Sequence, residues 1–169
     1  MNEINKLTGS GLLLALMIIF QSLRLMMPIP PFANTFLIGS LVHACLILCL
    51  FRFGFRYSLL LGIIAPIIAF LQGMLPALPL VIPVVAGNAT YLTVSYVLGF
   101  KIPRIGAIVI ASVCKALILY GLIHLFLQWL LLPAPIAKAL LFVMSWPQII
   151  TGSLGGIIGL QLLKRFPSK

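Results

Sequence analysis

Any chemistry in this sequence has to be organised around Lys115. It follows Ile105, which opens a long apolar run, by ten positions, and so falls near the middle of a bilayer. A charge at that depth costs at least about 2.5 kcal/mol, so it faces a bundle interior and needs a partner there. The sequence has a single acidic residue, Glu3, at its start. Backbone carbonyls, amides, hydroxyls or a bound anion are left as partners. Two readings follow: Lys115 meets a polar or anionic ligand group, or it is a neutral or carbonyl-bonded lysine that only ties helices together.

A second set lies on the preceding apolar run. At about 100° per residue, Asn88, Tyr91 and Ser95 share one helical face and make a polar stripe. Polar groups in membranes often only join helices, at about 0.6 kcal/mol each, so the stripe is either a binding face or glue. Trp146 and Gln148 flank Pro147. The indole suits an interfacial anchor, and Gln148 suits a hydrogen bond to a ligand. Gln72 and Gly73 sit where an apolar run meets the proline-rich stretch Met74-Leu-Pro-Ala-Leu-Pro-Leu-Val-Ile-Pro83. His43 lies mid-run, with ligand contact, a helix–helix hydrogen bond and a proton site all open. Asn34 opens a run, where capping is the plain explanation. His124 and Gln128 fall opposite Lys115 on its helix and are not expected to join it. Arg24 is expected to snorkel to an interface.

Catalysis has little support. There is no carboxylate pair, no Ser-His-Asp set, no metal cluster and no GxxxxGK[ST] loop. No enzyme activity, cofactor or metal is expected, and a lone terminal acid argues against proton-coupled carboxylate transport. Cys45 and Cys49 share a helix face without His or acid partners, which points to apolar packing rather than metal binding.

The elements that position these residues are read from hydropathy and charge. The 169-residue chain is 63% hydrophobic and 7% charged, with a mean hydropathy of +1.27; soluble domains carry about 25% charged residues. Eight of the eleven Lys and Arg fall in four clusters: Lys6; Arg52 and Arg56; Lys101 and Arg104; Lys164, Arg165 and Lys169. The apolar stretches between them are each long enough to cross a bilayer twice, at about 20 residues per crossing. Basic clusters mark the cytoplasmic side. The expected fold is therefore all-α, an integral membrane bundle of six transmembrane helices in one domain over 1–169, with both termini cytoplasmic.

The expected spans are Leu7 to Met27, stopped by Pro28, Pro30 and Pro31; Asn34 to Phe51; Tyr57 to Gly73, with Pro66 inside; Val81 to Phe100; Ile105 to Leu132, long enough to tilt or protrude; and Leu140 to Leu163. The first span lacks a signal-peptide cleavage site and is expected to remain. The basic balance is a topology signal rather than a nucleic-acid footprint, which needs a solvated face. On the first span Gly11 and Ala15, beside Ser10, form a small-xxx-small face that suits close helix approach.

Six spans, a small-residue first helix and a proline-rich loop before span four go with the segments Ala65-Pro-Ile-Ile-Ala-Phe-Leu-Gln-Gly73, Pro83-Val-Val-Ala-Gly-Asn88, Ala111-Ser-Val-Cys-Lys115-Ala and Gln148-Ile-Ile-Thr-Gly-Ser-Leu-Gly-Gly156. Together they resemble the substrate-binding S component of energy-coupling factor (ECF) transporters over essentially the whole chain. The resemblance implies a subunit in the cytoplasmic membrane of a prokaryote that captures a vitamin-like micronutrient from outside. Such a subunit docks on a membrane coupling subunit driven by two ATPases and topples to deliver its ligand inward. It implies Asn88, Tyr91, Lys115, Trp146 and Gln148 as pocket residues, the loop around Gln72 as a lid, and Gly11 with Ala15 as the docking face. That face is usually two alanines, so Gly11 departs from the pattern. With no acid in any span, a neutral or anionic ligand is expected. A stand-alone permease or channel, a membrane enzyme acting on lipids and a structural or assembly protein are the alternatives.

Overall fold

The computed structural model describes residues 2–26 and 31–165. Pro28 and Pro30, expected to stop the first span, and Lys169 of the last basic cluster lie outside them. The described residues are helical, with no strand: α1 (Glu3–Met26), α2 (Pro31–Phe53), α3 (Phe55–Leu71), α4 (Val81–Leu98), α5 (Arg104–Trp129), α6 (Ala134–Val143) and α7 (Pro147–Arg165). Among them five helical segments are long and apolar enough to cross a membrane, and α3, at 17 residues, is a shorter apolar helix. Leu12, Leu60, Leu117 and Leu125 are each between 52 and 72% exposed. So large an apolar surface is stable in lipid, where helices satisfy their own backbone groups.

The helices end where the backbone chemistry requires. A single residue, Gly54, joins α2 to α3 at φ 106°, a conformation that favours glycine. The proline-rich stretch forms only a 3-10 turn, Leu78–Leu80, before α4 begins. Span five differs from expectation: α5 ends at Trp129 rather than Leu132, because Leu130 turns extended at φ −96°, ψ 114°. Span six differs more. In place of one helix from Leu140 there are two, α6 and α7, broken over residues 144–146. Pro147 cannot donate a backbone hydrogen bond and so suits the first position of a new helix.

Consecutive long helices alternate in direction, and contacts at one end of the bundle establish this. Tyr57 at the start of α3 donates to Glu3 at the start of α1 (2.6 Å). The Arg104 guanidinium, opening α5, lies 4.7 Å from the Phe51 ring centroid near the end of α2. Phe55 packs on Tyr96 near the end of α4 (centroids 5.4 Å apart). This end carries Lys6, Arg52, Arg56, Lys101 and Arg104.

Glycine seams on α7 set how it packs against its neighbours. A Cβ on Gly155 would strike the Ser40 carbonyl oxygen, and one on Gly159 would come within 2.7 Å of the Ala44 carbonyl oxygen, so α2 lies directly against this face. On the other seam, a Cβ on Gly152 would sit 2.6 Å from Ser112 Oγ of α5, and one on Gly156 2.6 Å from Tyr91 Oη of α4. Around these seams Met17, Leu46, Ile47, Leu92 and Ile108 form the main core. A smaller cluster of Leu80, Leu119, Ile123 and Leu140 lies towards the other end.

Candidate functional site

The opposite end of the bundle holds a cavity of about 620 Å³, within the size range of small-molecule sites. Its walls come from the end of α1, the start of α2, the end of α3 with residues 73–76 of the loop that follows it, the starts of α4 and α7, Lys115 of α5, and α6. Lys115, His43 and Asn88 line it and are only 3 to 4% exposed.

A hydrogen-bonded chain through four helices fixes these three residues, and it starts from a proline. Pro66, inside α3, has no N–H, so the Gly62 carbonyl one turn earlier loses its intrahelical donor. The Asn88 Nδ2 of α4 donates to that carbonyl (3.0 Å). Gly62 also lets α4 come close, since a Cβ there would meet Leu92 at 3.2 Å. With its amide nitrogen so engaged, Asn88 turns Oδ1 to Lys115 Nζ of α5 (2.7 Å). Lys115 Nζ also lies 2.7 Å from His43 Nε2 of α2. His43 Nδ1 is 2.6 Å from the Gly39 carbonyl oxygen and must donate to it, which leaves Nε2 as an acceptor. The lysine therefore has two neutral acceptors and no carboxylate. Glu3, the sole acid of the sequence, is engaged with Lys6 and Tyr57 at the far end.

The remaining sequence candidates divide by position. Gln148 lines the cavity, and its Nε2 donates to the Val143 carbonyl (3.1 Å), tying α7 to the end of α6. It lies in the first turn of α7. Asn34 also lines the cavity, in the first turn of α2. Tyr91 is fully buried behind the cavity wall; its hydroxyl donates to the Gly152 carbonyl (2.8 Å) and its ring stands edge-on to His43 (5.0 Å). Ser95, the third member of the stripe, is fully buried and its hydroxyl finds no partner. Trp146 lies outside the cavity lining, packed on Phe36 (5.9 Å) and Phe142 (5.6 Å), which do line it. Gln72 caps the end of α3 and donates to Ser22 Oγ of α1 (3.0 Å), also outside the lining. His124 and Gln128 are exposed, away from Lys115.

Gly11 and Ala15 are exposed on α1, and nothing in the protein lies within 4 Å of a Cβ built on Gly11. Among the described residues no three His, Cys, Asp or Glu side chains come together, and Cys45 and Cys49 are free and buried.

One lining residue carried no signal of its own in the sequence. Gln21 of α1 is 5% exposed, and its Nε2 donates to the Ala65 carbonyl of α3 (3.2 Å). Its spacing from the buried Ser10 and Met17 puts it on the inward face of α1, a pattern that could have marked it.

The fold and site define a helical membrane bundle with a polar-floored cavity. No family model matches the chain, and no curated protein or solved structure matches it.

Proposed function

We propose that this protein is the substrate-specific membrane subunit of an ATP-driven uptake system of the energy-coupling factor type. It binds a neutral or anionic vitamin-like molecule from outside a prokaryotic cell and delivers it inward after docking on a coupling subunit powered by two ATPases. In this reading the chain crosses the membrane six times, α3 included, and both termini are cytoplasmic. The observation that carries it is the place of the cavity: it lies at the end of the bundle opposite Lys6, Arg52, Arg56, Lys101 and Arg104. Cytoplasmic loops collect such residues, so the cavity faces outward.

The floor argues for capture rather than free conduction. Below His43, Asn88 and Lys115, the side chains of Tyr91, Leu46 and Ile108 are fully buried, and the cavity goes no further. A stand-alone permease has no comparable support. The exposed Gly11 and Ala15 suit the docking face, because small residues let a partner helix approach closely.

Two measurements test the proposal. Native mass spectrometry of protein purified in detergent should find a vitamin-sized molecule bound at one equivalent. Gly11→Leu should keep that molecule but lose co-purification with membrane and ATPase partners from the native host. A protein that stays empty after incubation with a vitamin panel, or that co-purifies with no ATPase, would count against the reading.

A further inference from the structure

Resting on the ligand-binding reading above, we propose that the cavity selects a small organic anion that also carries a separate N–H or O–H donor. The anionic group sits on Lys115 and the donor on Gln21, about one helical turn nearer the mouth.

The floor of the cavity is fixed in what it can offer. His43 is held with Nδ1–H on the Gly39 carbonyl, and Asn88 with Nδ2 on the Gly62 carbonyl. Both turn their remaining polar atom, an acceptor, to Lys115. An ammonium has three N–H donors, and these two acceptors take two of them. A bound anion would hold the lysine in its protonated form, and the floor then offers that ligand a positive charge with one N–H. A donor-headed or cationic ligand finds no free acceptor here, whereas an anion both receives the N–H and compensates a charge that has no counter-ion inside the bundle.

Gln21 asks for the opposite. Its amide nitrogen is committed to the Ala65 carbonyl, and its Oε1 is buried with no hydrogen-bond partner in the protein. Buried polar groups in proteins are nearly always paired, and Gln21 is part of the cavity lining. A ligand N–H or O–H would complete it.

The height difference follows from α3. Asn88 hangs from Gly62 and Gln21 from Ala65, three residues on towards the cavity end. At 1.5 Å per residue that is about 4.5 Å along the bundle axis. The lining also carries the aliphatic Ile38, Val42, Val84, Leu140 and Val143, which suits an apolar body joining the two groups. Among the described residues the other charged lining residue is also a cation, Arg24, on the exposed last turn of α1.

The test is a binding panel on the purified full-length chain, read by calorimetry. Acids with a donor are pantothenate, biotin and 4-aminobenzoate. Acids without one are octanoate, lipoate and 4-(dimethylamino)benzoate. Panthenol and nicotinamide are uncharged, and thiamine is a cation. The tightest binder is expected among the acids with a donor. Lys115→Met should weaken it roughly ten- to hundredfold, as expected for a charged hydrogen bond. Gln21→Met should weaken it about tenfold while leaving an acid without a donor unchanged. If Gln21→Met does not fold, 4-aminobenzoate against its dimethylated analogue on the unaltered protein reads the same donor. A tightest binder that is uncharged, or equal binding of acids with and without a donor, overturns this inference and leaves the micronutrient-binding reading standing; a cationic tightest binder overturns this inference and the neutral-or-anionic part of that reading. A panel in which nothing binds overturns both.

Discussion

The Pro66–Gly62–Asn88 link can be tested by taking it apart and rebuilding it. Asn88→Leu removes the side chain bonded to the Gly62 carbonyl, together with one of the two acceptors of Lys115. Interhelical hydrogen bonds in membranes average only about 0.6 kcal/mol, because the separated helices find other partners. Gly62 departs from that average: in the packed bundle Pro66 denies its carbonyl an intrahelical donor, and a leucine at position 88 offers none in its place. Leaving a buried carbonyl unsatisfied costs about 1–3 kcal/mol, and a hydrogen bond to a charged group contributes about 1.5–3 kcal/mol. Asn88→Leu should therefore destabilise the bundle by about 3 kcal/mol, several times the usual membrane figure. Pro66→Ala restores a backbone donor to the same carbonyl, so in the Asn88→Leu background it should recover about 1–2 kcal/mol. The assay is equilibrium unfolding in mixed micelles, followed by circular dichroism, for the two single variants and the double variant. Independent sites add to within about 0.5 kcal/mol. Additivity of Pro66→Ala and Asn88→Leu within that margin would refute the argument that the proline creates the need the asparagine meets.

Other outcomes follow from packing and topology. Gly155→Ala should cost about 1–3 kcal/mol in the same unfolding assay, because its Cβ meets the Ser40 backbone carbonyl, which cannot rotate away. Gly121→Ala, with open space around its Cβ, should be neutral or stabilising by up to about 1 kcal/mol; equal losses at both sites would contradict the seam. For orientation, cysteines introduced as Lys138→Cys and Lys101→Cys should separate in intact cells. An impermeant maleimide should label position 138 and spare position 101, and the reverse pattern would invert the proposed topology.

The sequence carried much of the scaffold because lipid imposes simple rules on it. Apolar runs and basic clusters located the helices, and the α4 start at Val81 agrees with the expected span. The stripe of Asn88, Tyr91 and Ser95 is buried on one face, while His124 and Gln128 point away from Lys115. What stayed hidden depends on distant residues meeting. Lys115 plainly needed a partner, but nothing local joins it to His43, 72 positions away. The helix break before Pro147 erased a boundary that hydropathy cannot resolve, since α6 and α7 are both apolar. Gln21 is one glutamine on an apolar helix, and only the Ala65 carbonyl and the cavity beside it give it meaning.

The two glycine seams of α7 have a consequence for how such a protein can change. They clamp positions 152 to 159 against α2, α4 and α5, while the same helix begins at Pro147 and Gln148 in the cavity wall. One continuous rod thus belongs to a tightly packed base at one end and to the cavity rim at the other. Rim residues such as Ile136, Phe142 and Gln148 share no glycine contact with the seams. Substitutions there should leave the base undisturbed, since distant sites act almost independently. Under the proposed function, a lineage of such bundles would exchange one cargo for another by rewriting the rim, while inheriting its foundation intact.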